Sequence, residues 1–205
     1  MKMHHVQGAI WQAWTANLLI IALVSGAQAD SIEGAFSNDF LDLSYSRNAG
    51  LIGLNDQELT LSLFMNEKNN VIPYATLSKE VLKGASPIHF DIGARIYFAA
   101  LTEPDDDVVG VAFGASGRYK LPFDRIPVLG RFPISIRSSI FFAPSITTSG
   151  SGIKIIDADF VRGEIELTPL IRGFAGLRLL EFDGRSSGED RLIDSVIYGG
   201  ASFTF

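Results

Sequence analysis

Hydrophobic and polar residues alternate one by one along most of the chain after residue 30. In 88–98 apolar residues occupy the even positions, from Ile88 to Phe98, and polar or small residues occupy the odd positions. This period of two predicts β-strands. The other regular stretches are 108–121, 132–142 and 160–167, and the weaker ones are 40–46, 57–66, 70–79, 170–182 and 193–205. None of them contains the ~20 consecutive apolar residues of a helical membrane span, so the chain is predicted to be all-β.

The period alone leaves open which face of each strand points inward. A soluble lipocalin-like barrel and a membrane barrel share the pattern with opposite sense. The polar face consists mainly of Gly, Ala, Ser and Tyr with scattered Arg and Glu, as in 160–167, where Phe160, Arg162, Glu164 and Glu166 share that face. A solvated exterior would be denser in Lys, Glu, Asp and Thr, and Arg suits confined ion pairs. We therefore predict a transmembrane antiparallel up-and-down β-barrel, with a soluble binding barrel as the alternative.

The number of strands follows from topology. A single-chain bacterial barrel has an even number of strands, whereas nine alternating runs are visible. Splitting the first run into 32–37 and 40–46, joined by a tight turn at Asn38 and Asp39, predicts ten strands. Eight is the alternative if one weak pair lies outside the barrel. The expected outer loops are 66–70, 101–107, 145–155 and 183–192, and the expected periplasmic turns are 47–56, 81–87, 121–131 and Thr168-Pro169.

The first 29 residues have the features of a secretory signal peptide. Lys2 precedes an apolar core at 18–24, and Ala27-Gln28-Ala29 supplies the small-x-small cleavage pattern before Asp30. We predict a signal peptide over 1–29 and a single barrel domain over 30–205, in the outer membrane. An uncleaved membrane anchor is the alternative.

The chain ends in a pattern typical of the signal that outer-membrane assembly machinery reads. Tyr198, Gly200, Phe203 and the terminal Phe205 carry it. An unpaired strand edge can pair with another sheet before the barrel closes. The alternative is an ordinary edge strand that happens to end in Phe.

Composition excludes several classes of function. The 205 residues include no Cys, so disulfides, zinc–cysteine sites and cysteine nucleophiles are excluded. A formal charge of −6 argues against nucleic-acid binding.

The mature chain resembles the YfaZ family of predicted, porin-like outer-membrane barrels. The similarity covers residues 31–205 and is carried by the segments SIEGAFSNDFLDLSYS, GVAFGASGRYKLPF, RGFAGLRLLEFDG and YGGASFTF. It implies an outer-membrane location and no established substrate or catalytic residue.

The predicted lumen is rich in charged residues of both signs. The inward acids are Glu33, Asp42, Glu58, Asp91, Glu164 and Glu166, and the inward bases are Arg95, Arg118, Lys120, Arg137, Arg162, Arg172 and Arg178, with His89 beside them. A nearly balanced lumen does not select strongly for cations or anions. A ten-strand barrel is close to the size that side chains fill. Two interpretations therefore stay open: a closed, salt-bridged interior, or a narrow conduit for water, ions or small solutes.

Catalytic and metal sites are weakly indicated. His89 and Asp91 share the inward face, yet a lipid-cutting triad would have to face the bilayer. Asp105, Asp106 and Asp107 with Glu103 could bind a divalent cation, although an acidic loop is more often solvated. We predict no catalytic residue, metal or cofactor, and a monomer whose partners are membrane lipid, lipopolysaccharide and the barrel-assembly machinery. Its predicted role is a narrow channel or, alternatively, a structural or surface-interaction barrel.

Overall fold

The chain forms one closed antiparallel β-barrel. The computed structural model describes residues 30–49, 54, 56–82, 87–101, 106–122, 132–149, 153–183 and 196–205. The strands are β1 (Ser31–Phe36), β2 (Phe40–Asn48), β3 (Gln57–Asn66), β4 (Val71–Glu80), β5 (Ile88–Leu101), β6 (Asp106–Lys120), β7 (Ile134–Ala143), β8 (Lys154–Thr168), β9 (Ile171–Asp183) and β10 (Val196–Thr204). Each strand pairs with its neighbour in sequence, and β10 closes against β1. The prediction of a ten-strand barrel is confirmed. None of the described segments is a helix that could cross a membrane.

The turn between β1 and β2 lies where the sequence predicts it. The Ser37 hydroxyl accepts hydrogen bonds from the backbone N–H groups of Asp39 and Phe40, at 3.0 and 3.1 Å. A serine that bonds the backbone two and three residues ahead stabilises a tight turn. The chain therefore reverses after only six residues of β1, and the first alternating run becomes two strands.

The two faces of the strands are oriented as predicted, with the apolar side chains of the alternating runs on the outside of the barrel. Phe113 on β6 is 61% exposed on the outside, and Ile92 and Ile136 on neighbouring strands are exposed beside it. Tyr97, which points inward from β5, is completely buried. The apolar face is therefore the outer face, as predicted. Aromatic residues near the strand ends are also exposed on the outside: Phe90, Tyr119, Phe132 and Phe205 at one end, and Phe98 and Phe142 at the other.

We call the end of the barrel that carries Asp30 and Phe205 the terminal end. At that end the backbones of these two residues exchange hydrogen bonds of 3.0 and 2.9 Å, which extends the β1–β10 pairing by one residue pair. Because consecutive strands are antiparallel, the β1–β2 and β3–β4 turns lie at the opposite end. The β9 strand likewise starts at the terminal end, directly after the short turn at Pro169 and Leu170.

Two predicted outer loops are shorter than expected. Leu101 and Asp106–Asp107 belong to β5 and β6, and β8 already begins at Lys154. After β7 ends, the segment 147–149 continues the pairing with β6, because the Val111 N–H donates to the Thr147 carbonyl oxygen at 3.0 Å. The predicted signal segment 1–29, the acidic residues 103 and 105, and most of 121–131 and 183–192 lie outside the described residues.

The prediction that Phe160 faces inward is wrong, because β8 contains a β-bulge. The sequence pattern places Phe160 on the inner face, but Phe160 and Val161 are both exposed on the outside. The register against β7 and β9 shifts by one residue between Asp159 and Arg162. An extra residue in one strand resets the alternation. Asp159 and Arg162 consequently both face inward, although they are three positions apart.

The half of the lumen nearer the opposite end is filled with apolar and aromatic side chains. Fully or almost fully buried residues there are Phe64, Ile72, Tyr97, Val108, Ile155 and Leu180. They come from six different strands and belong to a single contiguous cluster with Phe141 and Phe182. We call this cluster the apolar plug. Its presence differs from the expected lumen of small and charged residues, because in this half both faces of the strands are apolar.

Candidate functional site

A buried network of charges lies next to the apolar plug. Asp157 on β8 accepts hydrogen bonds from Arg95 and from the Tyr97 hydroxyl, the latter at 2.9 Å. Arg178 on β9 contacts the same carboxylate at 3.2 and 3.3 Å. Asp157 is therefore shared by two arginines, and Arg178 has a second carboxylate partner in Asp42. A buried charge requires such compensation, because its transfer out of water is costly.

The same network continues to the other side of the barrel. The remaining guanidinium nitrogen of Arg178, Nη1, donates to Asp42 at 2.5 Å, and the Tyr74 hydroxyl donates to the same Asp42 oxygen at 2.6 Å. Arg95 to Asp157 connects β5 with β8, and Arg178 to Asp42 connects β9 with β2. Both ion pairs join strands that are three apart in the barrel, so they cross the lumen instead of following the wall.

Aromatic rings from the plug support the arginines. The Arg95 guanidinium carbon lies 4.0 Å from the Phe141 ring centroid and 4.7 Å from that of Tyr74. Arg178 lies 5.3 Å from the Phe64 ring centroid. Cations over aromatic faces are stabilised by the ring quadrupole. The plug and the charge network therefore form one packed unit across the middle of the barrel.

A second charge cluster lies nearer the terminal end. Arg162 on β8 makes a bidentate pair with Glu33 on β1, with both nitrogen–oxygen distances at 2.6 Å. Its guanidinium stacks 3.6 Å from the Phe174 ring centroid. Glu164 is buried between three arginines, at 3.0 Å from Arg162, 3.2 Å from Arg118 and 3.6 Å from Arg172. Arg172 also lies 3.3 Å from Glu166.

Strand register places three arginines of this cluster side by side. Arg118 on β6 is directly opposite Arg137 on β7, and Arg137 is directly opposite Arg162 on β8. Like charges in such positions repel. Glu164 and Glu33 compensate Arg118 and Arg162, but Arg137 has no ion pair with any described residue and faces an open cavity.

The terminal half of the lumen is open and polar. A cavity of about 690 Å³ lies near the strand ends and is lined by the predicted residues Glu58, His89, Asp91, Arg118 and Arg137. It adjoins a deeper cavity of about 260 Å³, which reaches the charge networks described above. Arg95, Arg162, Arg172 and Arg178 line the deeper cavity, and Glu164 and Glu166 contact its arginines.

Lys120 is the exception among the predicted lumen residues. It lies at the terminal end of β6, is exposed and lines neither cavity. His89 is also exposed and lies 2.7 Å from Glu80 at the mouth of the larger cavity. The described residues contain no group of acids and histidine that could hold a metal ion.

Sequence reasoning missed Asp157 and Asp159, two acids of β8 that line the deeper cavity. Asp159 accepts a hydrogen bond of 2.9 Å from the Tyr198 hydroxyl. The spacing of Asp157 and Asp159 by two residues indicates a shared strand face. Because the bulge after Asp159 adds one residue, the sequence pattern does not show that Asp157 and Asp159 lie on the same face as Arg162.

The predicted assembly-signal residues divide between the two faces of β10. Tyr198 is buried inside the lumen, whereas Phe203 and Phe205 are exposed outside with ring centroids 5.9 Å apart. At Gly200 the neighbouring groups approach closely: a Cβ would lie 2.2 Å from the Gly34 carbonyl oxygen and 2.4 Å from the Phe174 ring. Gly200 thus has a packing role in the closed barrel, because a side chain there would collide with its neighbours.

Comparisons with known proteins find structures similar to this barrel but no sequence match. No protein-family model and no curated protein matches the chain. The KdgM porin in complex with disordered oligogalacturonate is 7% identical, covering 86% of this chain and 99% of that one, with a TM-score of 0.45. The NanC porin is 11% identical (87% and 100% covered, TM-score 0.37), and a bacterial polysaccharide outer-membrane secretin is 13% identical (86% and 69%, TM-score 0.40). Membership of the YfaZ family stays a prediction.

Proposed function

We propose that the protein is an integral outer-membrane β-barrel whose terminal end faces the periplasm. The observation that carries this proposal is the polarity of the wall, with large apolar side chains exposed outside and ion pairs buried inside. A closed barrel satisfies its backbone hydrogen bonds internally, as a lipid environment requires. Membrane lipid, lipopolysaccharide and the barrel-assembly machinery are its proposed partners, and a monomer is its proposed state.

Within that barrel we propose a narrow, porin-like route for water, ions or very small solutes that is closed at rest. The polar cavities provide the route from the terminal end to the middle of the lumen. The apolar plug closes the remaining half, since its side chains are fully buried. Passage therefore requires the plug to move.

Conductance in planar bilayers tests the proposal. We expect the wild-type barrel to open rarely, and Tyr97→Ala to conduct steadily, because the substitution removes a fully buried ring and two hydrogen bonds from the constriction. Phe98→Ala is the matched control, because the adjacent side chain points outward. Steady conductance of the wild type would show that the plug does not close the lumen.

A structural or surface-interaction barrel is the second candidate, and the packed lumen specifically favours it. Under this alternative, both the wild type and Tyr97→Ala stay silent at all voltages although both migrate as folded, heat-modifiable barrels.

A role in lipid modification is not proposed. We expect His89→Ala to leave the lipid profile of the membrane unchanged, as measured by mass spectrometry, because His89 lies on the inner face at the cavity mouth.

A further inference from the structure

The charges around the larger cavity are segregated onto two sides of the barrel. Glu58, Glu80 and Asp91 lie on β3, β4 and β5, and we call them the acidic wall. Arg118 and Arg137 lie on β6 and β7, and we call them the basic wall. Arg162 and Arg172, on β8 and β9, line the deeper cavity, where Glu33, Glu164 and Glu166 compensate them. β5 and β6 are hydrogen-bonded neighbours, so the two walls meet between these strands, and Glu58 on β3 lies three strands away from Arg118 on β6.

Ion pairs do not cancel this segregation. Glu164 compensates Arg118 at a distance of 3.2 Å, so the uncompensated positive charge of the basic wall is that of Arg137. Arg137 has no ion-pair partner among the described residues. On the acidic wall, the only polar side-chain contact described for Asp91 is a hydrogen bond of 3.0 Å from the Ser116 hydroxyl. An unneutralised guanidinium and an unneutralised carboxylate therefore face the same cavity of about 690 Å³.

Two basic residues, His89 and Arg47, lie on the same side of the cavity as the acidic wall. They lower the net negative charge of that side but do not make it positive. His89 lies 2.7 Å from Glu80, so it compensates at most that one carboxylate. Arg47 comes from β2 and lines the same cavity. Glu58 and Asp91 have no cationic partner among the residues that the structure describes. The field across the cavity thus points from the arginines of β6 and β7 toward the carboxylates of β3 and β5.

We propose that this cavity binds small zwitterions, with a carboxylate against Arg118 and Arg137 and an ammonium against Glu58 and Asp91. A simple anion or cation is attracted by one wall and repelled by the other, whereas a zwitterion is attracted by both. Arginine is suited to the carboxylate end because its planar donors match two carboxylate oxygens. The cavity opens at the terminal end, so binding does not require the apolar plug to move.

Binding of three related peptides to the folded barrel in detergent micelles tests this proposal. Triglycine carries both charges, N-acetyl-triglycine only the negative one and triglycinamide only the positive one. We expect the Kd of triglycine to be at least about tenfold lower than that of either analogue at the same ionic strength, a difference of about 1.4 kcal/mol. Saturation-transfer NMR titrations can measure all three constants, including weak ones.

Single substitutions assign the two ends of the ligand. We expect Arg137→Gln to weaken triglycine binding to the level of triglycinamide, and Asp91→Asn to weaken it to the level of N-acetyl-triglycine. Lys120→Gln removes a positive charge at the end of the same wall but outside the cavity, and should leave all three constants unchanged. Heat-modifiable migration of each variant verifies that the barrel is folded.

Two results would overturn the proposal. Equal affinity for triglycine and N-acetyl-triglycine would show a site for anions alone. Absence of saturable binding of triglycine to the folded barrel would show that no site exists. Neither result depends on conductance, so both are distinguishable from failure of the proposed channel.

Discussion

At the scale of single residues, the lumen depends on carboxylates that serve several arginines. Asp157 accepts hydrogen bonds from Arg95, Arg178 and Tyr97 and is almost completely buried. Replacing a buried ion pair with apolar residues can be neutral, but removing one partner leaves an uncompensated buried charge. Asp157 is therefore more sensitive to substitution than its neighbours on the surface.

We expect Asp157→Asn to lower the free energy of unfolding by about 3 kcal/mol, because two buried guanidinium groups lose a shared counter-charge. Urea unfolding of the barrel in lipid vesicles measures the loss. Glu166→Gln is the control: its side chain is 39% exposed and lies 3.3 Å from Arg172, and exposed ion pairs contribute about 1 kcal/mol or less. Equal losses in the two variants would contradict the network described here.

At the scale of strands, the closure between β1 and β10 depends on residues without side chains. The pairing spans Ser31–Phe36 and is opposite Gly199 and Gly200 on β10. At Gly200 a Cβ would lie 2.2 Å from the carbonyl oxygen of Gly34, whereas at Gly199 its nearest neighbour would be 3.7 Å away. Two adjacent glycines therefore differ in how much space the closed barrel leaves them.

We expect Gly200→Ala to destabilise the barrel by about 2 kcal/mol, since backbone atoms of β1 must shift to admit the methyl group. Gly199→Ala should cost clearly less, because its Cβ meets only ordinary van der Waals contacts. The urea midpoint of each variant, read from the heat-modifiable band, compares them. Equal midpoints for the two alanine variants would exclude a packing role for Gly200.

The bulge in β8 also acts at the scale of a strand. It allows Asp157 and Asp159 on one side of it, and Arg162 and Glu164 on the other, to face the lumen together. A shift of one residue exchanges the two faces of a strand. Without the bulge, one of these two charged pairs would face outward.

We expect deletion of both Phe160 and Val161 to abolish assembly of the folded barrel. Asp159 and Arg162 then become neighbours in sequence and cannot both face the lumen, so either the aspartates or Arg162 and Glu164 turn toward the lipid. Phe160→Leu keeps the length and an apolar side chain at the bulge, so it should assemble normally. The fraction of heat-modifiable protein in purified membranes reports both results. Assembly of the deletion variant at the wild-type level would refute the proposed role of the bulge.

At the scale of the whole molecule, the protein is inverted relative to a soluble barrel. Large apolar side chains cover its outside, and two charge networks with an aromatic plug fill its inside. Among the described residues, the terminal half of the lumen contains two open cavities. This arrangement suits a barrel surrounded by lipid, with the charged groups enclosed in the lumen and away from the hydrocarbon.

Fluorescence quenching tests this inversion directly. Both tryptophans of the chain lie at positions 11 and 14, so a chain that begins at Asp30 has none. We expect Phe142→Trp to be quenched strongly by brominated lipid and Phe141→Trp to be quenched weakly, because the first side chain points outward and the second is buried in the lumen. Stronger quenching at position 141 would show that the faces are assigned the wrong way round.

The sequence by itself determined the number of strands, the first turn and the outward sense of the apolar face. The turn and the outward sense are local, since a period of two and the composition of each face can be read within one strand, as in 88–98. The number of strands needed in addition the rule that a single-chain bacterial barrel has an even number. Placement of individual charges was less predictable. Phe160 was assigned to the wrong face because an extra residue in a strand has no signature in the alternation itself.

Only the tertiary structure decided which charges meet and which part of the lumen is closed. The pairs of Arg95 with Asp157 and of Arg178 with Asp42 connect strands that are three apart. Such pairs depend on the register around the entire closed barrel, which no single strand contains. The apolar plug was hidden for a related reason: where both faces of a strand are apolar, alternation disappears, and only closure of the barrel encloses one of those faces.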